Sequence, residues 1–260
     1  MDLGIKGRVA LVTGGSRGIG RETAREFLEA GVKVMTCSRH GDQLEATCKE
    51  LAQKTGGEIR GIVADTSKEA NIQKVVDATL KAYGTVDILI NNAGTMYSGR
   101  FDEMTDQGLQ TQLDTKLFGF LRAIRTVFPI MRDKKWGRIV SMIGGAGKEP
   151  DPYMFGSGIT NSGLLNITKS LSTEFAPYNV LVNAVCPGWV ATDLWKRNAG
   201  GLQKELGVQS EDEARRLASK KNALGRFGKP EECVKIVMML LDNEYMTGQT
   251  VALSGGLSFV

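Results

Sequence analysis

Residues 8–20 read Arg8-Val9-Ala10-Leu11-Val12-Thr13-Gly14-Gly15-Ser16-Arg17-Gly18-Ile19-Gly20, and the fold is decided there. After Arg8, residues 9–12 carry apolar side chains on both faces, as a strand covered on both sides requires. Glycines follow, and 18–30 then carries helical periodicity. In that order each glycine has a use. Gly14 permits a tight turn, Gly18 lets the backbone approach a pyrophosphate, and Gly20 allows close packing of helix on strand. Phosphates then rest on the free N–H groups and positive dipole of the helix start. A glycine pattern alone is a weak signal, but a strand before it and a helix after it make this a dinucleotide-binding turn.

Outward from that turn the same unit recurs. Residues 32–35, 59–63, 86–90, 138–142, 180–185 and 250–253 read as further strands. Between them 41–55, 68–83, 106–134, 153–176 and 230–242 carry helical periodicity. Such alternation predicts right-handed βαβ crossovers and an α/β Rossmann fold: a doubly wound, seven-stranded parallel sheet flanked by helices. No repeat, low-complexity tract or linker interrupts it, so 1–260 reads as a single domain. One stretch departs from the rhythm. Residues 193–229 form a long insertion containing Gly200-Gly201 and a capping box of Ser210 and Glu213. It reads as a substrate lid or as a solvated helical excursion.

Composition narrows the chemistry. The 260 residues are 42% hydrophobic and 24% charged, which suits a globular chain with a sizeable core. A single histidine, His40, argues against a Ser-His-Asp hydrolase and against a His-rich metal site. Cys37, Cys48, Cys186 and Cys233 form no C-x-x-C pair, so no metal is expected, and a reducing, cytoplasmic setting is. The longest apolar run, 236–241, falls short of the ~20 residues that span a bilayer. A formal net charge of +4 in a mixed pattern gives no nucleic-acid face.

The end of the second strand bears on the choice of cofactor. Dinucleotide sites for NAD place an acid there to hold the ribose 2′-hydroxyl. Here the strand runs out as Cys37-Ser38-Arg39-His40. Arg39, with Ser38 and Arg17, suits a 2′-phosphate through charge-assisted hydrogen bonds, which favours NADP(H) over NAD(H). The alternative is that both arginines are solvated surface charges.

End to end, the chain resembles the short-chain dehydrogenases/reductases, of the 3-oxoacyl-reductase-like kind. Gly14, Gly18 and Gly20 fit that family's T-G-x-x-x-G-x-G loop, and Asp65 its adenine contact. Asn91-Asn92-Ala93-Gly94 fits its N-N-A-G segment. Pro187-Gly188-Trp189-Val190-Ala191-Thr192 fits the segment beside the nicotinamide, and 225–232 the return from the lid. The resemblance implies cofactor contacts from Gly14, Ser16, Arg17, Gly18, Ile19, Gly20, Ser38, Arg39, Asp65, Thr66, Asn92, Ala93, Gly94, Pro187, Gly188, Val190 and Thr192.

The likeness stops at the chemistry. The family uses a Tyr as general acid/base, a Lys four residues later that depresses its pKa, an upstream Ser and an Asn in the preceding helix. In the register fixed by Ser162-Gly163-Leu164-Leu165, those positions are Ser157, Asn161, Gly144 and Lys116. All four differ, which implies impaired catalysis: a pseudoenzyme, whether a non-catalytic subunit or a sensor, that binds NADP(H). The alternative is an oxidoreductase on a hydroxyl/carbonyl pair with substitute acid–base groups. Lys116 and Asn161 look exchanged, and Tyr153 lies one turn before Ser157 if Asp151 caps that helix and Pro152 takes its first turn. Lys116 otherwise reads as a salt-bridged surface lysine.

Met96, Tyr97, Met142, Trp189 and Trp195 fall where the family's pocket is lined, and imply a small apolar or acyl substrate or, equally, read as core and helix-packing residues. Arg197, Lys204, Arg215, Arg216, Lys220 and Lys221 offer charges for an anionic group or form a solvated helix face. The resemblance further implies a homo- or hetero-oligomer, dimer or tetramer, built through 106–134 and 153–176. A catalytically competent paralogue is one partner that would fit. No membrane or nucleic-acid partner is expected.

Overall fold

The computed structural model describes residues 4–257. Seven strands lie in one parallel sheet in the order β3-β2-β1-β4-β5-β6-β7. They are β1 Val9–Thr13, β2 Lys33–Ser38, β3 Ile59–Val63, β4 Ile88–Asn91, β5 Gly137–Met142, β6 Val180–Pro187 and β7 Thr250–Leu253. β1, β4 and β5 are buried throughout. Their residues alternate between two apolar layers, with Ala10, Val12 and Ile90 in one and Leu11, Leu89 and Ile139 in the other. Both faces are covered, which explains the unbroken apolar runs.

α1 (Gly18–Glu29), α2 (Gly41–Thr55) and α9 (Pro230–Asp242) flank the sheet with α3 (Glu69–Tyr83), α5 (Gly119–Lys134) and α6 (Phe155–Phe175). Strand order reverses between β1 and β4, and a crevice opens beyond the strand ends at such a switch point.

Two helices differ from the sequence expectation. The helix over 106–134 runs without a gap, but α4 (Asp106–Gln112) and α5 are joined through a π-helical turn (Leu113–Phe118). Single π-turns inside helices are rare and concentrate at functional sites. α6 begins at Phe155 rather than 153.

The insertion folds into α7 (Asp193–Leu206) and α8 (Glu211–Ser219), with the Ser210 hydroxyl accepting from the Glu213 N–H as the capping box predicts. Trp195, Ala199, Leu202, Ala214, Ala218 and Phe227 form its own small core. Among the described residues no helix is long and apolar enough to cross a membrane.

Candidate active site

Two connected hollows lie over the switch point. The first, about 150 Å³, runs along the glycine turn and the ends of β2 and β3. Gly14 (φ +73°) and Gly18 (φ +55°) both adopt the left-handed region. A Cβ on Gly14 would stand 2.9 Å from the Ala93 Cα, so the turn closes against the segment after β4 only with glycine there. Gly20 is the packing glycine: a Cβ would lie 2.4 Å from both the Gly14 carbonyl oxygen and the Asn92 Nδ2. That amide donates to the Thr13 and Gly14 carbonyls. No side chain caps α1, which leaves its first-turn N–H groups facing the hollow.

At the far end, Arg17, Ser38, Arg39 and His40 line the hollow together with Asp65 and Thr66. The Ser16 hydroxyl donates to the Ser38 hydroxyl at 3.0 Å. Asp65 accepts from the Ser67 N–H, and its carboxyl is held below its ordinary range by that bond and by Arg39, against the opposing effect of burial. Arg39 just after β2 and Arg17 in the glycine turn, with no acid at that strand end, fit a 2′-phosphate. The glycine cradle and this donor set fit NADP(H) better than NAD(H).

The hollow continues past Ile19, Asn92, Gly94, Thr192 and Leu194, which line both spaces. The second is a cavity of about 450 Å³ over the ends of β5 and β6. Pro187, Gly188 and Val190 line this second space and not the first. Met96, Met142, Met154, Trp189 and Trp195 give it apolar walls, while Lys116, Ser157, Asn161, Lys221, Glu149 and Asp151 add polar groups.

The short chain dehydrogenase family model matches residues 8–201. The chain belongs to that family. It is 33% identical over 259 residues to the 3-oxoacyl-[acyl-carrier-protein] reductase FabG of Aquifex aeolicus, covering 99% of this chain and 100% of that one. A crystal structure of the F189W actinorhodin polyketide ketoreductase with NADPH superposes with a TM-score of 0.91 at 32% identity, over 96% of this chain and 97% of that one. An NADPH-bound short chain oxidoreductase from Pseudomonas aeruginosa PAO1, described as containing an atypical catalytic center, gives 0.86 at 32% identity over 96% of each chain.

Within this short-chain dehydrogenase cavity the four positions singled out in the sequence come together. Lys116 lies in the π-turn, Gly144 just beyond β5, and Ser157 and Asn161 one turn apart on α6. Gly144 and Asn161 are sterically coupled, since a Cβ on Gly144 would be 2.7 Å from the Asn161 Nδ2. The Asn161 Oδ1 is buried without a hydrogen-bond partner. Ser157 is buried; its hydroxyl accepts from the Gln112 amide at 3.4 Å and faces the Tyr97 carbonyl at 3.5 Å.

Lys116 is not a salt-bridged surface lysine. Among the described residues its ammonium has no hydrogen bond or ion pair, and Asp114 in the same turn turns to Arg122 at 3.9 Å. Desolvation pushes the Lys116 amine down to about 8, with the Cys186 thiol pulling weakly the other way.

Other sequence expectations are corrected. Tyr153 does not share a helical face with Ser157, because α6 starts at Phe155 and Asp151 instead accepts from the Tyr153 N–H in a local turn. The Tyr153 hydroxyl takes the Arg100 guanidinium at 3.4 Å and does not line the cavity. Tyr97 packs where Gly108 and Gly156 leave room, its hydroxyl accepting from the Thr105 N–H, and it too is absent from the cavity wall. Lys204 pairs with Glu103, Arg216 with Glu213, and Arg215 lies over Phe227. Lys220 is exposed, and the Arg197 side chain lies outside the described residues. Lys221 reaches the cavity while bound to Glu205 at 3.1 Å.

The sequence reading missed His40, Glu149 and Gln112. His40 follows Arg39 directly and lines the same hollow. Gln112 has no local signal, because its contact with Ser157 is 45 residues away.

Proposed function

We propose that this chain is an NADP(H)-dependent carbonyl reductase with a non-standard proton donor, acting on small apolar or acyl ketones. The observation that carries it is Lys116: an unpaired ammonium at the wall of an apolar cavity that opens from the nucleotide cleft. Gly14, Arg17 and Arg39 would hold NADPH, which when bound would supply hydride chemistry. The remaining task, placing a positive charge and a proton beside the oxygen, falls to the protein. A lysine near neutrality suits it, because an acid is most effective when its pKa lies near the working pH. In the cavity's low dielectric its charge also stabilises a developing alkoxide more than it would in water. Ser157 adds a hydroxyl to the same wall.

Similarity to NADPH-bound reductases, one described as having an atypical catalytic center, supports the cofactor and the class of reaction. The deciding experiment is NADPH oxidation by the purified protein across a panel of aliphatic, aromatic and thioester ketones. Turnover lost in Lys116→Met with NADPH affinity kept is the expected result. Turnover undiminished in that variant overturns the assignment.

A second reading follows from the Tyr placements: with Tyr97 and Tyr153 both turned away, no phenol lines the cavity among the described residues. On that reading the tetrad is replaced without substitution of function, and the chain is an NADP(H)-binding pseudoenzyme, a sensor or the inactive subunit of a hetero-oligomer. Exposed Phe118, Phe155 and Ile159, at the π-turn and on α6, support an oligomer in either case. Tight NADPH binding with no turnover on any ketone would select it.

A further inference from the structure

Lys116 combines three properties seldom found in one lysine. It lines an apolar cavity, its ammonium lacks a partner among the described residues, and it sits in a π-helical turn rather than on a solvated helix face. Its aliphatic stem passes Gly94, with the Cδ 3.8 Å from where a glycine Cβ would stand. Lys221, which lines the same cavity, is held by Glu205 and half-exposed.

We propose that Lys116 is a carbonyl-reactive lysine, whose amine condenses reversibly with apolar aldehydes and unhindered ketones that enter the cavity and holds them as an imine. The Lys116 nitrogen lone pair attacks the carbonyl carbon and the C=O π pair moves to oxygen. A proton passes from nitrogen to oxygen to give a carbinolamine, and loss of water leaves C=N. The reverse sequence releases the carbonyl unchanged, and no redox partner is needed.

Burial favours the reactive form, since a desolvated amine resists protonation and its free base is the nucleophile. The amine's descent to about 8 leaves a usable free-base fraction near neutrality. The charged groups around it do little to reverse this. Asp114 is turned to Arg122, and Glu149 and Asp151 stand on the cavity wall without pairing to it. The Cys186 thiol on β6 is pushed up by burial, against the pull of Lys148 and Lys116.

The inference shares with the proposed function the view that carbonyl compounds enter this cavity, but not the hydride step, and the test separates them. The NADP⁺-loaded protein is incubated with phenylacetaldehyde and sodium cyanoborohydride at pH 6 and pH 8, then analysed by intact mass and peptide mapping. The expected result is one addition, on the peptide bearing Lys116, rising about tenfold or more from pH 6 to 8 as the amine loses its proton. Lys116→Arg keeps a cation that cannot form a trapped secondary amine, and should abolish the addition while keeping the thermal shift with NADP⁺.

Label distributed over exposed lysines, or unchanged in Lys116→Arg, overturns the proposal. If the variant does not fold, the site mapped on the wild-type chain decides alone. Trapping at Lys116 without NADPH oxidation would leave this inference standing and remove the reductase; oxidation without trapping would do the reverse.

Discussion

The cleft along β1 and β2 presents its ligand-facing groups mainly from backbone, whereas the cavity over β5 and β6 presents them from side chains. In the first, glycines at 14 and 18 with positive φ, an uncapped helix start and a loop closed on Ala93 leave little room for change. In the second, Lys116, Ser157, Asn161 and Gly144 line the wall beside the regularly paired strands β5 and β6. Backbone geometry at a positive φ is strained by a single exchange for a residue with a Cβ. A side-chain constellation survives so long as its volumes still fit, as Gly144 and Asn161 show.

The largest effect expected of that comparison is at Lys116. Lys116→Met should cost about 10²–10⁴ in kcat/KM, the usual worth of general acid–base help, with NADPH affinity by calorimetry unchanged. An equal loss of affinity would mean that the two halves are not separable. Gly14→Val tests the other half. A β-branched side chain at φ +73° meeting the Ala93 backbone should cost about 1–3 kcal/mol in strain. Measured by thermal denaturation, that loss should come with nucleotide binding weakened by more than tenfold.

A smaller change should follow at the end of β2. Arg39→Ala should lower the preference for NADP⁺ over NAD⁺ by about 10–100-fold, the worth of a charge-assisted hydrogen bond. A preference left intact in equilibrium binding would assign the 2′-phosphate to Arg17 alone.

The sharpest test is pH. Lys116 as acid must carry its proton, so kcat/KM should be level below about 8 and fall as pH rises through that value. Its effect on stability has the opposite sense. The folded-state pKa lies below the unfolded value, so the unfolded chain binds more protons between about 8 and the ordinary lysine range, and stability rises with pH across that window. At pH 7, then, Lys116→Met should stabilise the fold by about 1–3 kcal/mol, a range discounted because the amine is partly open to the cavity. That gain should vanish above about pH 10.5, the ordinary lysine value. A stabilising substitution that removes activity marks a site kept for function rather than for folding.

How much was legible in advance divides along the same line. The strand over 59–63 and the helices over 41–55 and 230–242 appear with the boundaries that periodicity predicts. The nucleotide cleft was readable from local order alone, because a strand, a glycine turn and a helix adjacent in sequence are adjacent in space. Tyr153 was misplaced because one turn of helix was assumed to begin at Asp151; a local Asx turn won there instead. The π turn at 113–118 leaves no trace in the apolar pattern, which continues through it.

By itself the sequence determined the parallel sheet, the switch point and the glycine cradle, since these follow from residue types at fixed spacing. Only the tertiary structure decided that Lys116 lies unpaired against an apolar wall, that Asn161 fills the room left at Gly144, and that both nearby phenols turn away. Burial and partnering depend on which distant elements pack together, and no local pattern carries that information.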